Sequence, residues 1–167
     1  MCRRVFITCL SLAVAFVLFA GRVAPAAEAV PLKVGFAEAD ITPDPGMEKP
    51  GGYGKAFMKE THDSCKVRAA VFDDGKRRVA LVSIDALMVR RALVNEVRQR
   101  IQEKCGIPAE AVLIGASHSH TSGPTGMVQP GEFDHASELV RYLAYERSSC
   151  ANAEYLKRVA EQLVAAV

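Results

Sequence analysis

Val79-Ala80-Leu81-Val82-Ser83-Ile84-Asp85 and Ala111-Val112-Leu113-Ile114-Gly115-Ala116-Ser117-His118 bracket a segment of a different period, and the fold follows from the three read together. The two flanking runs are short and aliphatic, as strands are. Between them the apolar residues Val89, Leu93, Val94, Val97 and Ile101 fall on one face of a helix, with Arg90, Arg91, Glu96, Arg98 and Arg100 mostly elsewhere. Gly106 follows as a C-cap glycine and Pro108 lies just beyond. Strand, helix, strand makes a βαβ unit, which closes right-handed with its strands parallel. The second run, from Ala111 to Ala116, is continuously apolar and is expected to be buried on both faces of the sheet.

Upstream, Val67 to Phe72 is a further strand, joined to the first run by Asp73-Asp74-Gly75-Lys76, where Asp-Gly supplies the positive φ that a tight hairpin requires. Leu32 to Ala37 is the first strand. The glycine- and proline-rich stretch from Ile41 to Gly54 is a loop that either borders a site or serves as a solvated connector. At the other end Tyr155, Leu156, Val159, Leu163 and Val167 line one side of a terminal helix. The fold class is α/β, a mixed sheet with a βαβ unit and flanking helices.

Parallel strands end on the same sheet edge, where open α/β sheets place their ligands. Asp85 closes the first strand of the βαβ unit and His118 its second. If the strands are neighbours their ends lie about 5 Å apart, within reach of a shared ion or a carboxylate-imidazole hydrogen bond. His118 and His120 are two of only four histidines, and at i and i+2 of extended chain they point to the same side. Imidazole is the commonest neutral metal ligand and titrates near neutrality, so the pair suits a metal or a proton transfer. Asp85 equally suits the cap of the following helix. His62-Asp63 either faces the site or forms an exposed loop pair, and His135 is expected to face solvent. Gly115-Ala116-Ser117-His118-Ser119 departs from a nucleophile elbow, whose fifth residue is glycine. Neither glycine-rich phosphate-loop pattern occurs.

Residues 1-26 carry Arg3 and Arg4, an apolar run from Val5 to Ala20 and the small-x-small ending Ala24-Pro25-Ala26, and read as a signal peptide directing the chain to a secreted or periplasmic location. Of the 21 Lys and Arg, Arg3, Arg4 and Arg22 fall within it, leaving 18 against 19 Asp and Glu. A near-neutral domain over 27-167 lacks the basic excess that nucleic acid demands, so small molecules, lipids or proteins remain as partners. Cys65, Cys105 and Cys150 have no metal-ligand spacing and allow one disulfide at most; they read as buried or bridged.

Taken in order, Val34-Gly35-Phe36-Ala37-Glu38-Ala39-Asp40-Ile41-Thr42-Pro43, the Gly52-Tyr53-Gly54 loop, His62-Asp63, Val79 to Asp85 and Ser117-His118-Ser119-His120-Thr121-Ser122-Gly123-Pro124 resemble the amino-terminal part of the neutral/alkaline non-lysosomal ceramidases. The resemblance covers nearly all of residues 33 to 126. It implies a secreted or membrane-associated zinc amidohydrolase that cleaves the N-acyl bond of ceramide to sphingosine and fatty acid. In that family the segment reads T-H-T-H-S-G-P. The resemblance therefore assigns His118 as the zinc ligand and His120 to the substrate side, with Asp85 beside them as a candidate catalytic carboxylate. Thr121 is inserted here before Ser122-Gly123-Pro124, which shifts the Gly-Pro turn by one residue.

The family's other ligands, a second histidine, a glutamate and a tyrosine, come from later regions. The resemblance thus implies that this chain is the amino-terminal part of a larger zinc-hydrolase domain, with little hydrolase activity and weak zinc affinity by itself. A ceramide-like lipid is the expected substrate, contact with a membrane surface is expected, and nucleic acid is not. The alternatives are a catalytically silent secreted protein that binds a lipid or partner, and a related metal hydrolase acting on another amide or ester.

Overall fold

In a computed structural model the described residues are 30-52 and 54-167; the signal-peptide reading of 1-26, and Tyr53 of the glycine loop, lie outside them. Four strands form a single mixed sheet in the order β1 (Lys33–Asp40), β2 (Lys66–Asp73), β3 (Arg78–Ile84) and β4 (Val112–Ala116). The first three make an antiparallel meander, with Gly35 opposite Val71 and Ala69 opposite Val82. Gly75 supplies the left-handed φ of 82° in the turn between β2 and β3. Then the chain crosses through helix α1 (Arg91–Cys105) into β4, which pairs parallel to β3 with Ile84 opposite Ala116. The βαβ unit is therefore present, and its two strands are immediate neighbours.

α1 ends as its sequence dictates. Gly106 takes the left-handed conformation at φ 66° and its N–H bonds back to the Gln102 carbonyl. The terminal helix α3 (Ala153–Ala165) starts at Asn152, whose side chain accepts the Tyr155 N–H. Between β4 and α3 the chain also forms a short helix α2 (Glu138–Arg141), capped by Ser137 and continued by a π-helical turn through Tyr142–Glu146. That element is not legible in hydrophobic periodicity, because Leu139, Val140, Tyr142 and Leu143 are all exposed. Among the described residues no helix is long and apolar enough to cross a membrane.

α1 and α3 lie on one face of the sheet. Leu93, Val97 and Ile101 of α1 and Tyr155, Val159 and Leu163 of α3 pack there against Val67, Ala69, Ala80, Val82, Ile84, Val112 and Ile114. The opposite face is open to solvent. β4 alternates strictly, with Val112 and Ile114 buried and Leu113 60% exposed. Phe36 on β1 is 79% exposed, and Val79 and Leu81 on β3 are exposed as well. The expectation that Ala111 to Ala116 is buried on both faces is thus corrected: its apolar content is two-sided, but helices cover only one side. The three cysteines are free thiols, Cys65 buried and Cys105 and Cys150 half-buried, so none is bridged. Burial pushes the Cys65 and Cys150 thiols up.

Candidate functional site

The parallel pairing of β3 and β4 brings Asp85 and the histidine segment to one sheet edge. Backbone bonds fix the two chain exits against each other: Ser117 N–H donates to the Ile84 carbonyl at 3.0 Å and Ser119 N–H to the Ala86 carbonyl at 3.0 Å. Ser119 and Thr121, with Asp85, His62 and Asp63, line a cleft of about 600 Å³ at this edge.

His118 and His120 are exposed, and their ring centroids are 5.0 Å apart in an edge-to-face arrangement. The chain carrying them is not extended. His118 has φ 62°, the left-handed region, and among the described residues no other non-glycine residue has positive φ. The expectation of two imidazoles on one side of an extended strand is corrected accordingly: their proximity comes from a left-handed kink directly after β4. Histidine tolerates this region better than most residues, yet such backbone costs about 1–3 kcal/mol and gathers at functional sites.

Each imidazole has one nitrogen committed. His118 Nδ1 lies 2.9 Å from the Leu87 carbonyl, and His120 Nδ1 lies 2.9 Å from the Gly51 carbonyl. A carbonyl oxygen can only accept, so both Nδ1 atoms donate. In the neutral rings Nε2 then holds the lone pair. Metal-bound histidines are held in this way, the second nitrogen donating to a carbonyl or carboxylate that fixes the tautomer and orientation. The donor chemistry of the pair therefore fits a metal such as zinc, through Nε2. Among the described residues, no three His, Cys, Asp or Glu side chains come together as a metal-binding group.

Asp85 is placed at the cleft but differently employed. Its Oδ2 accepts the Lys66 N–H at 3.0 Å and an Arg68 guanidinium N–H at 2.9 Å, while its own N–H donates to the Lys66 carbonyl. Among the described residues, no hydrogen bond joins it to His118 or His120. The expected carboxylate-imidazole bond is therefore replaced by a clasp that closes the β2–β3 end, because Arg68 opposite Ser83 on the neighbouring strand reaches the carboxylate. Asp85 stands before α1 without capping it; the residue at that position is Arg90, whose side chain makes no cap hydrogen bond. Across the cleft His62 Nδ1 and an Asp63 carboxylate oxygen are 2.9 Å apart, both side chains almost fully exposed. The hydrogen bond to Asp63 pushes the His62 imidazole up. His135 is exposed, as expected.

The glycine-rich loop borders the site; it is not a plain connector. It folds back on itself, with Gly46 N–H bonded to the Met58 carbonyl and Lys49 N–H to the Ala56 carbonyl. Its tip, at Gly51, meets His120. Beneath the histidine segment Ser122 is fully buried and donates to the Ser119 carbonyl at 2.9 Å. Gly123 lies against the ring of Tyr155, whose hydroxyl donates to the Ile41 carbonyl at 2.6 Å; burial pushes that phenol up. Leu87, which the sequence reading missed, and Gly51, which it marked only as part of the glycine loop, act through backbone carbonyls. The paired glycines at 51 and 52 were the one available signal; for Leu87 there was none.

No protein-family model matches the chain. Over 97 residues, 56% of this chain, the sequence is 37% identical to a neutral ceramidase of Drosophila pseudoobscura pseudoobscura. The fold matches the crystal structure of neutral ceramidase from Pseudomonas aeruginosa with a TM-score of 0.62 over 83% of this chain, at 20% identity. Its fold is that of part of a neutral ceramidase. A solved ceramidase complexed with C2 matches at a TM-score of 0.56, again over 83% of this chain and at 21% identity. The chain spans 14% of the length of the Drosophila neutral ceramidase and 21% and 20% of the two solved ceramidases.

Proposed function

We propose that this chain provides one corner of a zinc-dependent amidohydrolase site of the ceramidase kind, acting on the N-acyl bond of a ceramide-like lipid. The observation that carries this reading is the fixed imidazole pair at the sheet edge, beside Ser119 and Thr121 of the cleft, each Nδ1–H held by a backbone carbonyl and each Nε2 left with its lone pair. The neutral-ceramidase likeness in sequence and fold supports the choice of substrate class.

His118, rooted at the end of β4 and held by the Leu87 carbonyl, is the proposed zinc ligand through Nε2. Zinc with an open position supplies a bound water whose pKa falls to about 7 and a polarised carbonyl. His120 stands 5.0 Å away, ring centroid to ring centroid, on the proposed substrate side. With Nδ1–H committed, neutral His120 accepts a hydrogen bond or a proton at Nε2. Once protonated it donates from the same atom, and the Gly51 carbonyl holds the ring still throughout. Amide hydrolysis joins the water oxygen to the acyl carbon, breaks the C–N bond and delivers a proton to the departing nitrogen; His120 is the proposed carrier of that proton. Asp85 is proposed as a positioning carboxylate that braces the cleft wall through Arg68 and Lys66.

A catalytic zinc needs about three protein ligands, so the full site requires ligands beyond His118. Zinc titration of the 167-residue chain beside His118→Ala and His120→Ala tests the division of roles. The expected result is weak binding by the parent chain, abolished in His118→Ala and retained in His120→Ala, with little turnover of a fluorescent ceramide. Zinc binding unchanged in His118→Ala would overturn the assignment.

A further inference from the structure

We infer that Gly51 is a positioning residue whose carbonyl selects the tautomer of His120, so that the glycine loop decides which atom the substrate-side imidazole offers. This deepens the proposed function and rests on it for the meaning of "substrate side", although the tautomer itself can be read without metal or substrate.

Three observations combine. His120 Nδ1 lies 2.9 Å from the Gly51 oxygen across 69 residues of sequence, and the acceptor cannot donate in return. A solvated histidine side chain favours the opposite tautomer, with hydrogen on Nε2. In this structure the Gly51 carbonyl opposes that preference, as the Leu87 carbonyl does for His118. Gly51 also has φ 96°, a conformation that side-chain-bearing residues rarely adopt. Finally, a Cβ at this position would come within 2.6 Å of His120 Nδ1 and 2.7 Å of its Cγ. A residue with a Cβ at this position would force the His120 ring to shift from the Gly51 carbonyl. The adjacent Gly52 has no such demand: the nearest heavy atom to a Cβ there is the Gly54 carbonyl oxygen at 3.7 Å, an ordinary contact.

The loop is built to hold this position. Its two arms are tied by the Glu48–Phe57 bridge and by the Gly46–Met58 and Lys49–Ala56 backbone bonds. Glu48 further accepts the Cys150 N–H at 2.7 Å and pairs with Lys55. The carbonyl at the tip is thus anchored to the body of the domain by several bonds independent of His120, and the imidazole adjusts to the loop.

Long-range proton–nitrogen NMR on the imidazoles of the 167-residue chain, at a pH where both rings are neutral and with signals assigned through His118→Ala and His120→Ala, tests the inference. The expected result is hydrogen on Nδ1 and a bare Nε2 for both histidines in the parent chain. In Gly51→Ala the His120 signals should move to the Nε2–H form or to a mixture, while His118 keeps its pattern. Gly52→Ala should leave both unchanged. An Nε2–H tautomer for His120 in the parent chain overturns the inference, and this holds even if Gly51→Ala fails to fold. An unaltered His120 tautomer in folded Gly51→Ala also overturns it. Loss of the zinc-ligand role of His118 would leave these spectra untouched, so the two readings fail separately.

Discussion

Replacing Gly123 by alanine should destabilise the fold far more than the same change at Gly115, although the two glycines are eight residues apart on the same strand and its exit loop. At Gly123 a Cβ would lie 2.6 Å from Tyr155 Cε1 and closer still to Cζ and the hydroxyl. The ring has nowhere to go. Tyr155 is 1% exposed, its hydroxyl donates to the Ile41 carbonyl at 2.6 Å, and the Arg158 guanidinium lies 5.1 Å from its ring centroid. Overpacking of this kind costs about 1–3 kcal/mol. If the ring yields, the Ile41 carbonyl loses a buried partner, a further cost of about 1–3 kcal/mol. The sum is about 2–6 kcal/mol. At Gly115 a Cβ meets no heavy atom within 4 Å and the φ is not positive, so Gly115→Ala should be neutral or stabilise by about 0.4–1 kcal/mol by restricting the unfolded chain. With no tryptophan present, urea unfolding is best followed by far-UV circular dichroism. The midpoint of Gly123→Ala should fall at an unchanged slope, equivalent to roughly 4 °C of Tm per kcal/mol for a domain of this size. Midpoints for the two variants within about 0.5 kcal/mol of each other would refute the reasoning.

The open sheet face makes a second contrast: Leu113→Ser should change unfolding free energy by no more than about 0.5 kcal/mol, whereas Ile101→Ala, fully buried in α1, should cost about 2–5 kcal/mol. A costly Leu113→Ser would mean that the face is covered in solution. Asp40 is held down to about 2, from 3.8, chiefly by the Thr42 hydroxyl, then by the Thr42 N–H at 2.8 Å and by Lys66, with burial opposing. A carboxyl whose folded pKa is depressed contributes stability above its unfolded value, and that contribution is lost as pH falls from about 4 towards 2. Melting temperature in that window should therefore drop more steeply for the parent chain than for Asp40→Asn; parallel curves would count against the assignment. Thiol alkylation mapped by mass spectrometry should modify Cys105 before Cys65, since Cys65 is buried and burial raises its thiol. Equal rates at the two would contradict the packing around β2.

The sequence by itself determined the βαβ unit, the parallel direction of its strands and the placing of Asp85 and His118 at one sheet edge, while the strands' register and adjacency came from the structure. The first three follow from local periodicity and from the handedness of strand-helix-strand connections. It also determined the Gly106 cap and the core face of the terminal helix, because caps and amphipathic faces are set by a few adjacent residues. Tertiary structure alone decided what each candidate site residue faces. Asp85 turns to Arg68, a partner 17 residues away on a neighbouring strand; His120 meets a carbonyl 69 residues away; and His118 leaves the extended conformation that its strand would continue. It alone also decided that the apolar β4 is covered on one side only. The physical reason is common to all four. Periodicity reports which residues avoid water, while hydrogen-bond partners and the coverage of a face depend on groups distant in sequence, often backbone carbonyls that leave no mark on residue type.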